Sequence, residues 1–383
     1  MLFSYSFQNK KRDLAEVLST VIKNEPRFIS NFKMVENATQ QKHEWLEDQI
    51  TGRSVTASAI TEAGVMSVSA GDIEKIKVGS LLTKVGDSAL LRVDAVAENV
   101  LTVSIVAANG SATTLASLGE TVPAVFNIVS TPVAEGSTVG DETGLTGKVN
   151  YNCTQIFRKD IILSGSALAV NVFGNVDNLL NRQTSFALEE LARDLNRVAL
   201  FGRRVEATPT TKGEAGGLYY FGCGEGAMEI DANATKLDSF SLNDAAQAIL
   251  SEGGEPMQIL CSVGQARVLS NEYRNNLQIL RADECRGAYV AQIVNEINGR
   301  AMTIMADPDM VDTDVWVIDN AGFGLSALSG RAINDRDATP SGFDGIKRMA
   351  LGELTFEFKN AKQRLCRIKN LLPSAAAIAA LKD

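Results

Sequence analysis

Histidine is almost absent: the 383 residues contain one, His43. Any Ser-His-Asp or Cys-His nucleophilic site would have to be built on it. It lies beside Glu44 and Trp45 at the end of an arm-like stretch, where a structural role fits better than catalysis. Cysteine is scarce too, and Cys153, Cys223, Cys261, Cys285 and Cys366 form no CxxC pair. That spacing excludes a zinc ribbon or a disulfide frame and reads as scattered reduced thiols. No apolar run reaches the roughly 18 residues of a membrane helix. Met1–Phe7 is followed at once by Lys10–Arg12, which is not a signal-peptide layout. No GxxxxGK[ST] phosphate loop exists. The glycines of Gly222–Gly226 (GCGEG) have no dinucleotide-binding unit around them and read as a mobile loop. A net charge of -9 argues against a dedicated DNA binder, which needs clustered Lys and Arg.

What the chain does have is one long helical pattern, Asn178–Phe201. Leu188, Leu191, Leu195 and Val198 recur at steps of three and four, with Leu180, Thr184 and Ala187 extending the row backwards. Such a helix is a rod of roughly 36 Å. Gly202 suits its stop.

Around it the chain reads in order as follows. The first 44 residues form an arm, with Leu14, Val17, Leu18, Val21 and Ile22 at helical spacing until Pro26. His43–Asp48 (HEWLED) reads as a strand anchored by Trp45, and Arg53–Val65 as extended loop. Ile73–Val129 alternates short β-branched runs with turn signals, the pattern of five or six strands in a small β-barrel. Ala134–Lys148 is a polar return limb, and Val149–Phe173 is strand-like again. Arg203–Ala227 reads as loop. Ser241 opens a helix with Asp244 in its first turn. Met257–Ser262 is a strand and Val263–Tyr273 a helix. Tyr289–Asn295 and Ala301–Ala306 form a hairpin around Asn298–Gly299, followed by a strand at Val315–Asp319. Gly352–Lys359 and Gln363–Leu371 read as a last hairpin across Asn360–Ala361.

Two charged stretches stand out. Asp307, Asp309, Asp312 and Asp314 are the best metal candidate by spacing. With Pro308 among them and no EF-hand glycine, they read instead as a solvated acidic turn. Lys359, Lys362, Arg364, Arg367 and Lys369 read as a solvated or inter-subunit strand face, with DNA contact second. The sequence therefore assigns no catalytic, cofactor-binding or metal-binding residue. An arm, a β-rich extension, one long helix and mixed sheets add up to a scaffold of class α+β.

The order of parts resembles the major capsid proteins of tailed bacteriophages with the Hong Kong 97-type fold. It is most similar to the subgroup with a β-barrel inserted in the extended loop. NEPRFISNFKMVENATQQKHEWLED (Asn24–Asp48) resembles that family's arm segment. VGSLLTKVGDSALLRVDAV resembles the inserted barrel, and AEGS (Ala134–Ser137) its exit. YNCTQIFRKDIILSGSA (Tyr151–Ala167) resembles the strand before the spine helix, and LEELARDLNRVALFG the helix end. GELTFEFKNAKQRLCRIKNL resembles the closing strands, except that the family's usual histidine is replaced around Lys362–Gln363.

The resemblance implies an N-terminal arm at 1–44 and an extended loop at 45–148 with its barrel at about 66–134. A peripheral domain follows at 149–256 with spine helix 178–201, then an axial domain at 257–336. Closing peripheral strands and a tail fill 337–383. It implies a structural protein, not an enzyme, without cofactors. Hexamers and pentamers would self-assemble into the icosahedral head shell of a virion around double-stranded DNA. Portal, separate scaffolding and decoration proteins are the further partners, with no membrane, and assembly takes place in the bacterial host cytoplasm. Alternatives are an encapsulin-like nanocompartment shell, told apart by a copurifying cargo enzyme, and a β-rich adhesin or enzyme subunit, told apart by small size in solution. About forty-five residues before HEWLED leave no room for a cleavable coiled-coil scaffold. The expectation is a chain that enters the shell full length.

Overall fold

The computed structural model describes residues 25–48, 53–61, 64–73, 75–84, 89–107, 123–133, 135, 147–170, 179–224, 228–272 and 291–380. The helix expected at Leu14–Ile22 and Cys285 lie outside these residues. The chain forms two units, one of residues 1–47 and 148–383, the other of 48–147.

In the first unit a 3-10 turn at Phe28–Asn31 leads into β1 (Lys33–Met34) and β2 (Lys42–Glu47). The second unit holds β3 (Ser54–Ile60), β4 (Val65–Val68), β5 (Leu81–Lys84), β6 (Leu90–Ala97), β7 (Val100–Ala107) and β8 (Ala124–Ser130). Each of its strands pairs with two others, and the order β3-β4-β7-β6-β5-β8 closes on itself. Val55, Ala57, Met66, Leu82, Leu91, Val93, Leu101, Val103 and Phe126 alternate with outward residues and fill the interior. The loop expected at Arg53–Val65 is instead mostly strand. Its SVTASAI pattern alternates with period two, but Ala57 is too small to announce an inward position by hydrophobicity alone. Glu98 adopts a positive φ of 39°, which makes the tight β6–β7 turn expected at Glu98–Asn99.

The chain re-enters the first unit with β9 (Lys148–Cys153), paired antiparallel to β2, and β10 (Gln155–Ser164). The long helix α1 spans Leu179–Phe201 and α2 spans Leu218–Gly224. Then follow β11 (Met228–Asp231), α3 (Ser239–Ser251), β12 (Gln258–Cys261), α4 (Val263–Glu272), β13 (Gln292–Val294), β14 (Ala301–Ala306) and β15 (Val315–Ile318). The chain closes with β16 (Phe323–Ala327), β17 (Asn334–Asp337), β18 (Gly345–Phe358), β19 (Leu365–Lys369) and α5 (Ser374–Ala380). One sheet runs β1-β16-β18-β10, with β17 also on β18; the other runs β11-β19-β15-β12-β14-β13. This second sheet draws strands from all three of the segments 149–256, 257–336 and 337–383.

Helix α1 packs on β10 and β18, but the face it buries is turned from the one expected. Ala187, Leu191, Leu195 and Ala199 are inside with Asn196 and Leu200, while Leu188 is 39% exposed. Stacked i, i+4 positions make the seam, and small alanines let the helix lie close to the sheet. Helix α3 starts two residues before Ser241: Asp238 is its cap and accepts the Ser241 N–H at 2.9 Å.

The hairpin expected across Asn360–Ala361 does not form. Asn360 adopts a left-handed conformation (φ 53°), one helical turn follows at Ala361–Arg364, and β19 joins the second sheet while β18 stays in the first. The Gly222–Gly226 loop is also corrected in its described part, since Leu218–Gly224 is helical. A Cβ at Gly222 would come within 2.4 Å of the Trp316 ring, so that glycine serves close packing.

Candidate functional site

The turn between β14 and β15 carries the four aspartates, and the structure corrects the solvated reading. Asp307 is 0% exposed and Asp314 3%. Each carboxylate has its own set of donors. Asp307 Oδ2 accepts the N–H groups of Phe28 (3.0 Å) and Arg27 (3.3 Å) and the side-chain amide of Asn196 on α1 (3.1 Å). Asp309 Oδ1 takes Arg197, also on α1, at 3.2 Å. Asp312 accepts Ser262 Oγ at 2.6 Å and the Ser374 N–H at 2.7 Å, tying the starts of α4 and α5. Burial alone would raise its carboxyl, but those donors outweigh it and hold it below the ordinary range.

Asp314 Oδ2 accepts the Tyr219 hydroxyl of α2 at 2.9 Å and Arg367 of β19 at 2.7 Å. Burial works against the Arg367 charge, yet Asp314 outweighs it and keeps the guanidinium protonated. The four carboxylates point to four sets of donors rather than to one centre. Among the described residues no group of His, Cys, Asp and Glu could hold a metal ion. The turn is a junction that fixes α1, α2, α4, α5 and β19 to one another. A buried carboxylate with its lone pairs filled is costly to break but offers no free base or nucleophile.

The basic run is likewise spoken for. Lys359 pairs with Glu357, Arg364 with Asp319, Arg367 with Asp314 and Glu229, and Lys369 with Glu229. Most of this charge is paired inside its own unit, on side chains that stay partly exposed.

His43 Nε2 lies 2.5 Å from Glu357 Oε1, bridging β2 to β18. Burial alone would raise the Glu357 carboxyl, but His43 and Lys359 overcome it and hold it below its ordinary value. On the same strand the Trp45 indole N–H donates to Glu47 Oε1 at 2.8 Å, and that oxygen also accepts the Asn360 N–H at 3.1 Å. These contacts fasten the β2–β9 ribbon, from which residues 48–147 depart and to which they return.

A cavity of about 470 Å³ lies beside the ribbon, lined among others by Lys42, Cys153, Thr154, Glu206, Lys212 and Glu353. Glu353 is taken by Thr154 Oγ1 at 2.7 Å and by Arg331 at 2.7 Å. Burial, with Glu206 nearby, pushes the Cys153 thiol up and keeps it protonated. Cys261 and Cys366 are buried and pushed up to about 12.

Relatives carry the functional evidence. The SU10 major capsid protein family model matches residues 2–372. The chain belongs to that family. No curated protein matches the sequence. Among solved structures, the cyanophage A-1(L) capsid asymmetric unit matches at 11% identity and TM-score 0.58, covering 97% of this chain and 100% of that one. The capsid of an empty GTA particle matches at 9% identity and TM-score 0.55, also covering 97% and 100%. At such identities the likeness is one of fold: mixed helix and sheet, as in phage capsids. A capsid family implies a structural rather than an enzymatic role and a virion component. No helix among the described residues is long and apolar enough to cross a membrane.

Proposed function

We propose that this major capsid protein builds the icosahedral head shell of a tailed bacteriophage, as hexamers and pentamers enclosing double-stranded DNA. The observation that carries the reading is the family match over residues 2–372. In this reading α1 is the spine helix of a Hong Kong 97-type fold. The closed β3–β8 unit is the barrel inserted in the extended loop, at 45–148. Residues 1–44 are the arm, 149–256 and 337–383 the peripheral domain, and 257–336 the axial domain. The mechanism is assembly rather than catalysis. Exposed apolar side chains such as Met34, Leu46, Val149, Ile162 and Phe240 supply surface to bury between copies. A net charge of -9 suits a lining that encloses DNA without gripping it. Assembly takes place in the host cytoplasm, with portal, scaffolding and decoration proteins as separate chains.

Sedimentation of particles from infected cells tests this. Fast-sedimenting particles of this chain that carry DNA support it. Particles that carry a cargo enzyme in place of DNA, or a chain that stays a small oligomer, would refute it.

A further inference from the structure

Residues 25–38 make few bonds among themselves and many to distant parts of the first unit. The 3-10 turn at Phe28–Asn31 lacks a cap from its own neighbours, since Arg27 offers no side-chain capping bond. Its three leading N–H groups are instead taken by residues far along the chain. Arg27 and Phe28 donate to Asp307 Oδ2, and Ile29 donates to Asn196 Oδ1 at 3.0 Å. Asn196 in turn donates to the same Asp307 oxygen, so α1 and the aspartate turn share one lock. A helix start needs such acceptors, and here they come from elements far along the chain.

Below the lock, Phe28 and Phe32 plug an aromatic slot. The Phe32 ring lies 5.2 Å from Phe323, 5.3 Å from Phe356 and 5.5 Å from Phe358. Beyond it β1 adds to the edge of its sheet, parallel to β16. The Val35 N–H donates to the Leu325 carbonyl at 3.1 Å, and the Ala38 N–H to that of Ala327 at 2.9 Å. Because β1 is the sheet's last strand, removing it breaks one row of bonds and leaves β16 paired with β18. Segments held at one edge open as local cooperative units.

We propose that residues 25–38 are a detachable strap, locked by Asp307 and Asn196, whose release opens the Phe323–Phe356–Phe358 slot while the rest of its unit stays folded. The inference needs no shell and stands apart from the proposed function. Closed, the strap hides two phenylalanines and their slot; open, it exposes both to other copies of the chain.

Hydrogen exchange followed by mass spectrometry on the full chain tests it, with Asp307→Asn weakening the lock and Phe32→Ala weakening the plug. In the wild type, amides at Arg27–Ile29, Val35 and Ala38 should exchange together and faster than those of β12 and β15. Each variant should speed the strap amides by about tenfold to a hundredfold, and in wild type and variants alike the strap amides should show a smaller urea dependence than those of β12 and β15. Strap amides that exchange at the β12 and β15 rate, or with the same urea dependence as those strands, would overturn the proposal. If Asp307→Asn does not fold, Phe32→Ala decides alone by the same comparison.

Discussion

Gly222→Ala is a small change with a large expected effect. The added Cβ would lie 2.4 Å from Cη2 and 2.5 Å from Cζ3 of Trp316. Ordinary carbon contacts are about 3.5–4.0 Å, so ring or helix must move by more than an ångström. The ring has little freedom: Trp316 is fully buried on β15, and Tyr219 meets it edge-on at 5.3 Å. Overpacking of this kind costs about 1–3 kcal/mol. Alanine gives back up to ~1 kcal/mol of helix propensity relative to glycine. At mid-range, ~2 kcal/mol of overpacking less ~0.5 kcal/mol of propensity leaves a loss of about 1.5 kcal/mol, which lowers the urea midpoint by roughly 0.5–1 M. Gly224→Ala is the control: it sits in the same helix, and nothing lies within 4 Å of its added Cβ. It should leave the midpoint unchanged or raise it slightly. Tryptophan fluorescence reports the transition, because Trp45 and Trp316 are both buried. A Gly222→Ala chain with the wild-type midpoint would refute the close packing of α2 on Trp316.

Leu191→Asp buries an unpaired charge in the α1 seam and should cost roughly 4 kcal/mol or more, giving insoluble protein, whereas Leu188→Asp should cost under about 0.5 kcal/mol by thermal melt. Replacing residues 48–147 with a short Gly/Ser turn should leave the rest folded by circular dichroism, since Glu47 and Lys148 already face each other across the β2–β9 pair; loss of all structure would count against two separate cores. The folded Glu357 carboxyl titrates below its ordinary 4.5, so its stabilisation is complete above that value and is lost as pH falls through the lowered one. Urea midpoints should therefore drop between neutral pH and the acid side of 4.5, and by less in Glu357→Gln; an equal drop in both would remove Glu357 from the account.

Where local pattern decided the structure, the sequence was readable. The period-two runs Leu91–Val93 and Leu101–Val103, the span of α1 and the Asn298–Gly299 turn all lie where their patterns point. Most of the failures share a cause: they depended on a partner far along the chain. Nothing near Asp307 tells that Phe28, 279 residues away, will fill its oxygen. Arg367 looks like part of an open basic face until Asp314 and Glu229 meet it. Gly222 looks like loop because its reason, the Trp316 ring, lies on another element. The last hairpin failed for a local reason: one left-handed residue, Asn360, sends β19 to a different sheet. The polar junction was the least legible part, because buried and solvated aspartates spell the same sequence.

Electron microscopy of the purified full-length chain is the most direct test of the central claim. The account predicts closed particles of uniform diameter, with rotational symmetry in class averages and many copies of a subunit carrying both units described above. Only monomers, small rings or amorphous aggregate, under conditions where circular dichroism shows the chain folded, would contradict it.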